Sequence, residues 1–374
     1  MIPHFIMLAL NAMPVTPPRG LSEKVPLAGL STLNIGGPAR YYVRGESAEA
    51  VAEAARWASE HELPLLVLGG GSNLVVSDDG FPGLVLHVLV RGVHAAPSDG
   101  SVEVTAGAGE PWDPLVERAV AEGWAGVECL SGIPGLVGAT PMQNVGAYGQ
   151  DVSETIVRVR ILDLRTGAVS DLTREECRFG YRDSRFKRED RGRFVILAVT
   201  YRLRPGGAPA VRYADLERHL PAQGGAGPSL ADVRRAVIDV RRRKSMVIDP
   251  GDPNRRSVGS FFMNPVVSAA EAERIEAAVR RDGTLAANDR MPAYPAADGR
   301  TKLSAAWLIE RAGLRRGYRR GNAGISTNHT LAIVNCGGAT AQEVVGLARE
   351  IRDRVRDRFG LTLVPEPVFV NLEL

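Results

Sequence analysis

The stretch Leu65-Leu-Val-Leu-Gly-Gly-Gly-Ser-Asn73 joins four apolar residues directly to a run of three glycines. The apolar residues are typical of a short buried strand. Upstream, Ala39-Arg-Tyr-Tyr-Val43 is also strand-like, and Ser47 can cap an intervening helix. The apolar residues of that helix recur at helical spacing: Val51, Ala54, Ala55 and Ala58. The pattern therefore predicts an α+β unit that ends in a glycine turn.

Glycines that follow a buried strand allow backbone N–H groups to approach a phosphate, because no Cβ blocks the way. The turn at 69–73 is not a dinucleotide-binding fingerprint, since Leu74 stands where the third glycine is needed. It is not a P-loop either, because no Gly-Lys-Ser/Thr follows. A second glycine-rich stretch spans 131–149 and carries Gln143 and Asn144. An ordinary tight turn explains either stretch alone, but the two together favour a large phosphate-bearing cofactor.

Beyond these loops the pattern changes along the chain. Strands are predicted over 102–105, 157–162 and 194–203, whereas helices are more frequent in the last third. The clearest helix opens with the capping box Thr340-Ala-Gln-Glu343 and ends at Gly360. A length of 374 residues is enough for two or three such units.

Composition excludes several classes of protein. A net charge of +3 is too small for a nucleic-acid or membrane-surface binder, and 44% hydrophobic residues exclude disorder for the bulk. Cys129, Cys177 and Cys336 form no CxxC pair, and the six histidines form no HExxH motif, so we expect no bound metal. Three cysteines without a pairing pattern also indicate a reducing, cytoplasmic location. Residues 1–13 are apolar but lack a basic region, which indicates a disordered or over-annotated start rather than a signal peptide.

Three polar clusters could carry chemistry. Arg182 lies among aromatic residues in 179–186, Ser260 precedes two phenylalanines, and Glu366 stands between two prolines that fix its backbone. Each has an ordinary alternative: a surface ion pair, a helix cap and a solvated loop carboxylate, respectively. No GxSxG elbow surrounds Ser260, which argues against a hydrolase nucleophile.

Taken in order, these segments resemble those of the UDP-N-acetylenolpyruvoylglucosamine reductase (MurB) family, type I. The matching segments are Leu30-Ser-Thr-Leu-Asn-Ile-Gly-Gly-Pro-Ala39, Gly69-Gly-Gly-Ser-Asn-Leu74, Ile133-Pro-Gly-Leu-Val-Gly-Ala-Thr-Pro-Met-Gln-Asn-Val-Gly-Ala-Tyr148, Tyr181-Arg-Asp-Ser184, Gly259-Ser-Phe-Phe262 and Pro365-Glu366. The resemblance covers about residue 22 to the end of the chain. It implies an α+β protein with a two-subdomain FAD-binding module of the PCMH/vanillyl-alcohol-oxidase type and a third, α+β substrate-binding domain. The implied boundaries are 1–20 for a disordered or over-annotated start, 21–89 and 90–245 for the two subdomains, and 246–374 for the third domain. The C-terminal segment of that third domain is expected to return Glu366 to the active site.

The resemblance also implies a reaction of peptidoglycan precursor synthesis. NADPH reduces non-covalently bound FAD, and the reduced flavin delivers hydride to the enolpyruvyl group of the UDP-sugar. By motif match, Arg182 is the cation and Glu366 the acid at the reacting carboxylate, where charge develops. Ser260 is the matched proton donor to the neighbouring carbon. The expected partners are small molecules only, the UDP-sugar and NADPH.

Further site residues follow from the same resemblance. The implied cofactor-binding residues are Asn34, Gly36, Gly69, Gly70, Gly71, Ser72, Asn73, Ser131, Gly135, Gly138, Met142, Asn144, Gly146 and Ala147. The implied substrate-binding residues are Tyr181, Tyr213, Lys244, Asn264 and His329. One position departs from the family pattern: Met263 stands where many members have lysine.

Two other functions remain as alternatives. The first is another flavin oxidoreductase of the same superfamily, such as a sugar or alcohol oxidase. Several of those enzymes attach FAD through histidine, and no histidine lies within the glycine motifs of this chain. The second is a catalytically inactive nucleotide-binding protein, against which the joint presence of Arg182, Ser260 and Glu366 argues.

Overall fold

The structure is a computed structural model that describes residues 16–212, 214–220, 227–286, 288–296 and 299–374. Residues 1–15, which make up most of the predicted disordered start, lie outside the described residues, as does the predicted substrate residue Tyr213.

The described residues form seven α-helices and twenty strands, and most of the strands are short. The helices are α1 (Ala48–Glu60), α2 (Trp112–Ala121), α3 (Ala214–Glu217), α4 (Leu230–Arg243), α5 (Ala269–Arg281), α6 (Ala305–Arg311) and α7 (Ala341–Phe359). The strands are β1 (Ser22–Pro26), β2 (Pro38–Gly45), β3 (Leu65–Leu68), β4 (Leu74–Val76), β5 (Phe81–Val88), β6 (Val93–Ser98), β7 (Ser101–Gly107), β8 (Trp124–Ala125), β9 (Gly146–Ala147), β10 (Gln150–Asp151), β11 (Ile156–Asp163), β12 (Val169–Thr173), β13 (Phe194–Pro205), β14 (Val266–Val267), β15 (Ala293–Pro295), β16 (Thr301–Leu303), β17 (Arg319–Arg320), β18 (Ala323–Ile325), β19 (Ile333–Asn335) and β20 (Val368–Val370).

The first sheet has the strand order β1-β2-β5-β3, with β2 and β3 both parallel to β5. Helix α1 connects β2 to β3 and begins where predicted, because the Ser47 hydroxyl accepts a hydrogen bond from the Ala50 N–H at 3.1 Å. Its apolar face, including Val51 and Ala54, is buried. The predicted strand, helix and strand are therefore confirmed.

The second sheet is antiparallel, with the order β12-β11-β13-β7-β6 and β8 paired to the end of β13. It shares one hydrophobic core with the first sheet, because buried residues from α1 and β5 contact those of β7, β11 and β13. Helix α2 packs on this core through Trp112, Leu115 and Val116. The glycine-rich stretch 131–149 thus follows a helix that is packed on this core.

The last third builds a second core from short strands and helices. Its sheets have the orders β14-β16-β15 and β17-β18-β19, and α5, α6 and α7 contribute most of the buried side chains. Helix α7 has the predicted capping box at Thr340 and ends at Gly360, whose φ of +73° is the left-handed conformation that favours glycine. Leu33, Ile35 and Val75 from the first third also lie in this core.

The end of the chain returns to the first glycine turn. Strand β20 pairs in parallel with β4, in the register Val368 to Leu74 and Val370 to Val76. The sequence analysis did not predict β20. This pairing places the segment just before β20, which contains Glu366, beside the loop at 69–73.

Within the described part of the chain, no helix has both the length and the apolar character needed to cross a membrane. The same residues hold no group of three or more His, Cys, Asp and Glu side chains that could bind a metal ion.

A carboxylate from the first third caps a helix of the last third, and its removal should destabilise the protein. The Asp78 carboxylate accepts hydrogen bonds from the backbone N–H groups of Ala341 (2.8 Å) and Gln342 (3.3 Å) at the start of α7. We expect Asp78→Ala to lower the free energy of unfolding by about 1 kcal/mol, as loss of a helix cap usually does. Urea unfolding followed by circular dichroism measures this difference.

The matched control is Asp79→Ala, which removes the neighbouring exposed carboxylate. It should change the free energy of unfolding by less than about 0.5 kcal/mol. Equal losses in the two variants would show that the contact with α7 contributes nothing.

Candidate active site

The first glycine loop, 69–73, needs glycine at two positions for steric reasons. Gly71 has a φ of +61°, and a Cβ there would lie 1.9 Å from the Leu30 carbonyl oxygen. A Cβ on Gly70 would lie 2.9 Å from the Cα of Gly135 in the second glycine stretch. The two loops that the sequence singled out are therefore in direct backbone contact, and the Ser72 hydroxyl adds a hydrogen bond to the Pro134 carbonyl at 3.3 Å.

The second glycine stretch is held against the antiparallel sheet. The Trp112 N–H donates to the Gly135 carbonyl at 3.1 Å, and the Gly138 N–H donates to the Ala108 carbonyl at 2.9 Å. Farther along, the hydroxyls of Thr140 and Tyr201 are hydrogen-bonded at 2.7 Å. Because Tyr201 is buried in β13, this bond fixes the loop to the centre of the sheet.

A cavity of about 270 Å³ lies between the two loops. The predicted cofactor residues that line it are Gly69, Gly70, Gly71, Ser72, Asn73, Gly138 and Met142. Its apolar walls include Val88, Trp112 and Ile196, and its polar lining includes Gln143, Lys187 and Glu366. Apolar walls suit a planar aromatic ring, and glycine edges admit phosphate oxygens to backbone N–H groups. The residues present therefore fit FAD.

Other predicted cofactor residues have different surroundings. Among the described residues, the lining of this cavity does not include Asn34, Gly36, Ser131, Gly135, Asn144, Gly146 or Ala147. The Ser131 hydroxyl donates to the Glu128 carbonyl at 2.7 Å, and the Asn34 side chain donates to the Ala28 carbonyl at 3.1 Å. These two side chains stabilise the local backbone next to the loops.

Asn144 and Gly146 lie next to the side chain of Arg182. The Arg182 guanidinium donates to the Asn144 carbonyl at 3.3 Å and to the Gly146 carbonyl. A Cβ on Gly146 would lie 1.5 Å from an Asp151 carboxylate oxygen, so a larger residue there would displace the Asp151 side chain. The end of the second glycine stretch thus shapes the arginine site.

Arg182 occupies a strained position. It is the third residue of the turn Gly180–Asp183, which two backbone hydrogen bonds between Gly180 and Asp183 close at 2.9 and 3.2 Å. Its φ of +53° lies in the left-handed region, where this turn position normally carries glycine or asparagine. Such strain costs about 1–3 kcal/mol and is typical of functional positions.

The Arg182 guanidinium lies between two carboxylates. Its Nε is 3.4 Å from Glu366 Oε1, and its Nη1 is 3.5 Å from Asp151 Oδ1. Burial raises the pKa of Glu366, while Arg182 and Lys187 oppose that rise. Burial likewise raises the pKa of Asp151, against the influence of Arg182. The structure therefore brings Arg182 and Glu366 together as predicted and adds Asp151.

Asn73 connects Glu366 to both glycine loops. Its side-chain amide donates to the Gln143 side chain at 2.8 Å and to the Glu366 carbonyl at 3.3 Å. Its own carbonyl accepts from the Val368 N–H at 2.9 Å. One residue of the first loop thereby fixes the second loop and the segment that contains Glu366.

Ser260 lies on the segment next to Glu366. The Glu366 N–H donates to the Phe261 carbonyl and the Met263 N–H to the Val364 carbonyl, both at 2.9 Å. The Ser260 hydroxyl is 3.5 Å from His329 Nε2. Burial and the nearby cations, first among them Lys244, lower the pKa of His329 to about 4, so that the imidazole is neutral at pH 7.

The remaining predicted substrate residues form two groups. Lys244 is near His329, whose pKa it lowers, at the carboxyl end of α4. The Tyr181 hydroxyl is hydrogen-bonded to the Asn264 side chain, and burial raises the pKa of Tyr181. The ammonium of Lys302 is 4.9 Å from the centroid of the Tyr181 ring.

The sequence analysis missed Asp151, Lys187 and Lys302 as site residues. The signal that could have found the two lysines is their rarity, because the chain has four lysines against 42 arginines. Asp151 could have been suspected from its place directly after the second glycine stretch.

Comparison with known proteins is consistent with this geometry. Residues 252–370 match the family model of the UDP-N-acetylenolpyruvoylglucosamine reductase C-terminal domain, and residues 39–173 match that of an FAD binding domain. The chain is 50% identical over 353 residues to the UDP-N-acetylenolpyruvoylglucosamine reductase of Saccharopolyspora erythraea, covering 93% of this chain and 95% of the relative. It is 48% identical over 355 residues to that of Thermobifida fusca, covering 94% and 99%. The crystal structure of UDP-N-acetylenolpyruvylglucosamine reductase from Thermus caldophilus is similar, with a TM-score of 0.61 and 26% identity over 93% of this chain and 98% of that one.

The contact between the two glycine loops predicts a selective loss of FAD affinity. Gly70→Ala places a methyl group 2.9 Å from the Gly135 Cα, so the loops must separate. Since overpacking of this kind typically costs about 1–3 kcal/mol, we expect about tenfold weaker binding of FAD. Titration of the apoprotein with FAD, followed by flavin fluorescence, measures the affinity.

Gly29→Ala is the matched control, because a Cβ there meets no heavy atom within 4 Å and the residue is exposed. It should bind FAD as the wild type does. Unchanged affinity in Gly70→Ala would mean that close contact of the loops is not needed for the cofactor.

Proposed function

The chain belongs to the UDP-N-acetylenolpyruvoylglucosamine reductase family, and from this membership we propose how Arg182, Glu366 and Ser260 divide the work of its reaction. The reaction is the reduction by NADPH of the enolpyruvyl group of UDP-N-acetylenolpyruvoylglucosamine, which gives UDP-N-acetylmuramate in peptidoglycan precursor synthesis. The enzyme is an FAD-dependent reductase. When bound, FAD supplies the hydride chemistry, taking up hydride from NADPH and passing it to the substrate.

One observation carries the proposal. The cavity between the glycine loops is lined at one side by Glu366, and Glu366 is 3.4 Å from the Arg182 guanidinium. The acid therefore stands at the wall of the cofactor cavity, and the cation lies directly beside the acid. A substrate whose reacting bond faces the cofactor would have its carboxylate within reach of both.

Arg182 and Glu366 act on developing charge. Hydride addition at the vinyl carbon moves electron density onto the adjoining carboxylate of the substrate. The guanidinium of Arg182 attracts that density, and a protonated Glu366 donates a hydrogen bond to it. Burial of Glu366 favours the protonated form that this role needs. Because backbone carbonyls and Asp151 hold the guanidinium, little reorganisation is needed during the reaction.

Ser260 supplies the proton that completes the reduction. The carbon next to the carboxylate becomes strongly basic once hydride has been added, so even a hydroxyl is acidic enough to protonate it. A neutral His329 at 3.5 Å from the Ser260 hydroxyl is placed to share a hydrogen bond with it. Tyr181, Asn264 and Lys244 are proposed to contact the substrate around this centre.

We keep the three-part division, 21–89, 90–245 and 246–374, as a proposal. The shared core of the first two parts and the second core around α5, α6 and α7 support it. Location in the cytoplasm is likewise proposed, supported by Cys129, Cys177 and Cys336, which are free thiols as in reducing compartments.

Removal of the proton donor should separate the two half-reactions. Ser260→Ala should leave reduction of the flavin by NADPH unchanged, because that step needs no proton from Ser260. Oxidation of the reduced enzyme by the enolpyruvyl UDP-sugar should slow by about 10²- to 10⁴-fold, as expected when a general acid is lost. Anaerobic stopped-flow absorbance of the flavin follows both steps.

Full rates in both half-reactions of Ser260→Ala would refute the role of Ser260. Rapid oxidation of NADPH by wild-type enzyme with oxygen alone, and none with the UDP-sugar, would instead favour the oxidase alternative.

The protonation state of Glu366 should govern the pH dependence of the half-reaction in which the substrate oxidises the reduced flavin. The pKa of Glu366 is raised by burial, so the protonated acid persists above the pH at which an exposed glutamate ionises. The rate of flavin oxidation by substrate should fall as the pH rises through that raised pKa. Glu366→Gln should be slower by about 10²- to 10³-fold and should lack this decrease. An identical alkaline decrease in Glu366→Gln would assign the titration to another group.

A further inference from the structure

Lys187 lines the cofactor cavity together with Glu366. Its Nζ donates a hydrogen bond to the backbone carbonyl of Arg182 at 2.9 Å. It is one of only four lysines in a chain that otherwise uses arginine for its positive charge. A compact ammonium has three donors and can bond a single carbonyl at short range, whereas a guanidinium is a larger planar fork.

The bond from Lys187 acts on the strained residue of the site. Arg182 has a φ of +53°, which a residue with a side chain adopts only when its surroundings hold it there. Two backbone hydrogen bonds between Gly180 and Asp183 close the turn, and Lys187 adds a hydrogen bond to the Arg182 carbonyl within it. Loss of that bond would loosen the turn and the guanidinium with it.

Lys187 also adds charge beside the acid. Three charged or titratable groups interact with Glu366: Arg182, Lys187 and Tyr181, which lie on one loop. Asp151 on β10 pairs with Arg182, and Lys302 on β16 acts on Asp151. Of these, Arg182 and Lys187 oppose the rise in the pKa of Glu366 that burial causes. Arg182 also pairs with Asp151, so Lys187 is a second cation that acts on Glu366.

We propose that Lys187 is a positioning residue of this site, which holds the Arg182 turn through the Arg182 carbonyl and places a second positive charge beside Glu366. The inference rests on the proposed roles of Arg182 and Glu366. It extends them by identifying a residue that does not act on the substrate itself but affects the position of Arg182 and the charge near Glu366.

The test compares Lys187→Met, Lys187→Gln and Lys187→Arg in the holoenzyme. Oxidation of the pre-reduced flavin by the enolpyruvyl UDP-sugar is followed by stopped flow over a range of pH. Removal of a positive charge disfavours the carboxylate form of Glu366, so its pKa rises further. The alkaline decrease in rate should therefore move to higher pH in Lys187→Met and Lys187→Gln, and the rate below that decrease should fall about tenfold because Arg182 is less well placed.

Lys187→Arg keeps the charge and should restore the alkaline decrease to its wild-type position. Arg191→Met is the matched control, because it removes one positive charge from an exposed position of the same loop. Its pH profile and rate should equal those of the wild type. Flavin content and circular dichroism confirm that each variant is folded, and Lys187→Gln replaces Lys187→Met should the latter fail to fold.

Several outcomes would overturn the proposal. Wild-type rates and an unmoved alkaline decrease in both neutral variants would do so. A uniform loss of rate with an unmoved decrease would reduce Lys187 to a structural residue and refute its electrostatic part. A wild-type enzyme that the UDP-sugar does not oxidise at all would instead refute the proposed function, and the inference with it.

Discussion

The parallel pairing of β20 with β4 is the contact on which the rest of the site depends. It fixes the segment around Glu366 to the first glycine loop, and Asn73 completes the connection by bonding the Glu366 carbonyl and the Val368 N–H. The backbone bond from Glu366 to Phe261 then aligns the serine segment with the same strand. The cavity, Glu366 and Ser260 are therefore parts of one hydrogen-bonded backbone arrangement, although they come from three distant regions of the chain.

A balance of burial and charge gives the site its chemical character. Burial raises the pKa of Glu366, and the neighbouring cations Arg182 and Lys187 oppose that rise. Arg182 lies between Glu366 and Asp151, so its positive charge acts on two carboxyl groups. The guanidinium of Arg182 and the carboxyl group of Glu366 are thereby held side by side, 3.4 Å apart.

Much of the fold could be predicted because it follows from local pattern. The helices capped by Ser47 and Thr340 begin where their side chains bond the backbone, and the two glycine stretches enclose one cavity. Strand β20 could not be predicted, since three residues have no periodicity of their own and the partner is remote. The surroundings of Asn144 and Gly146 could not be predicted either, because they act through carbonyl groups whose direction the sequence does not encode.

The separation along the chain of the paired segments has a consequence for folding. Asn73 and Glu366 are 293 residues apart, so their contact closes a very large loop of chain. Contacts of such long range are entropically costly to form first and slow the folding of the proteins that depend on them. The second core already joins Val75 to the last third, so its formation shortens the loop that this contact must close. We therefore expect the part of the cavity wall that contains Glu366 to form with that core or after it.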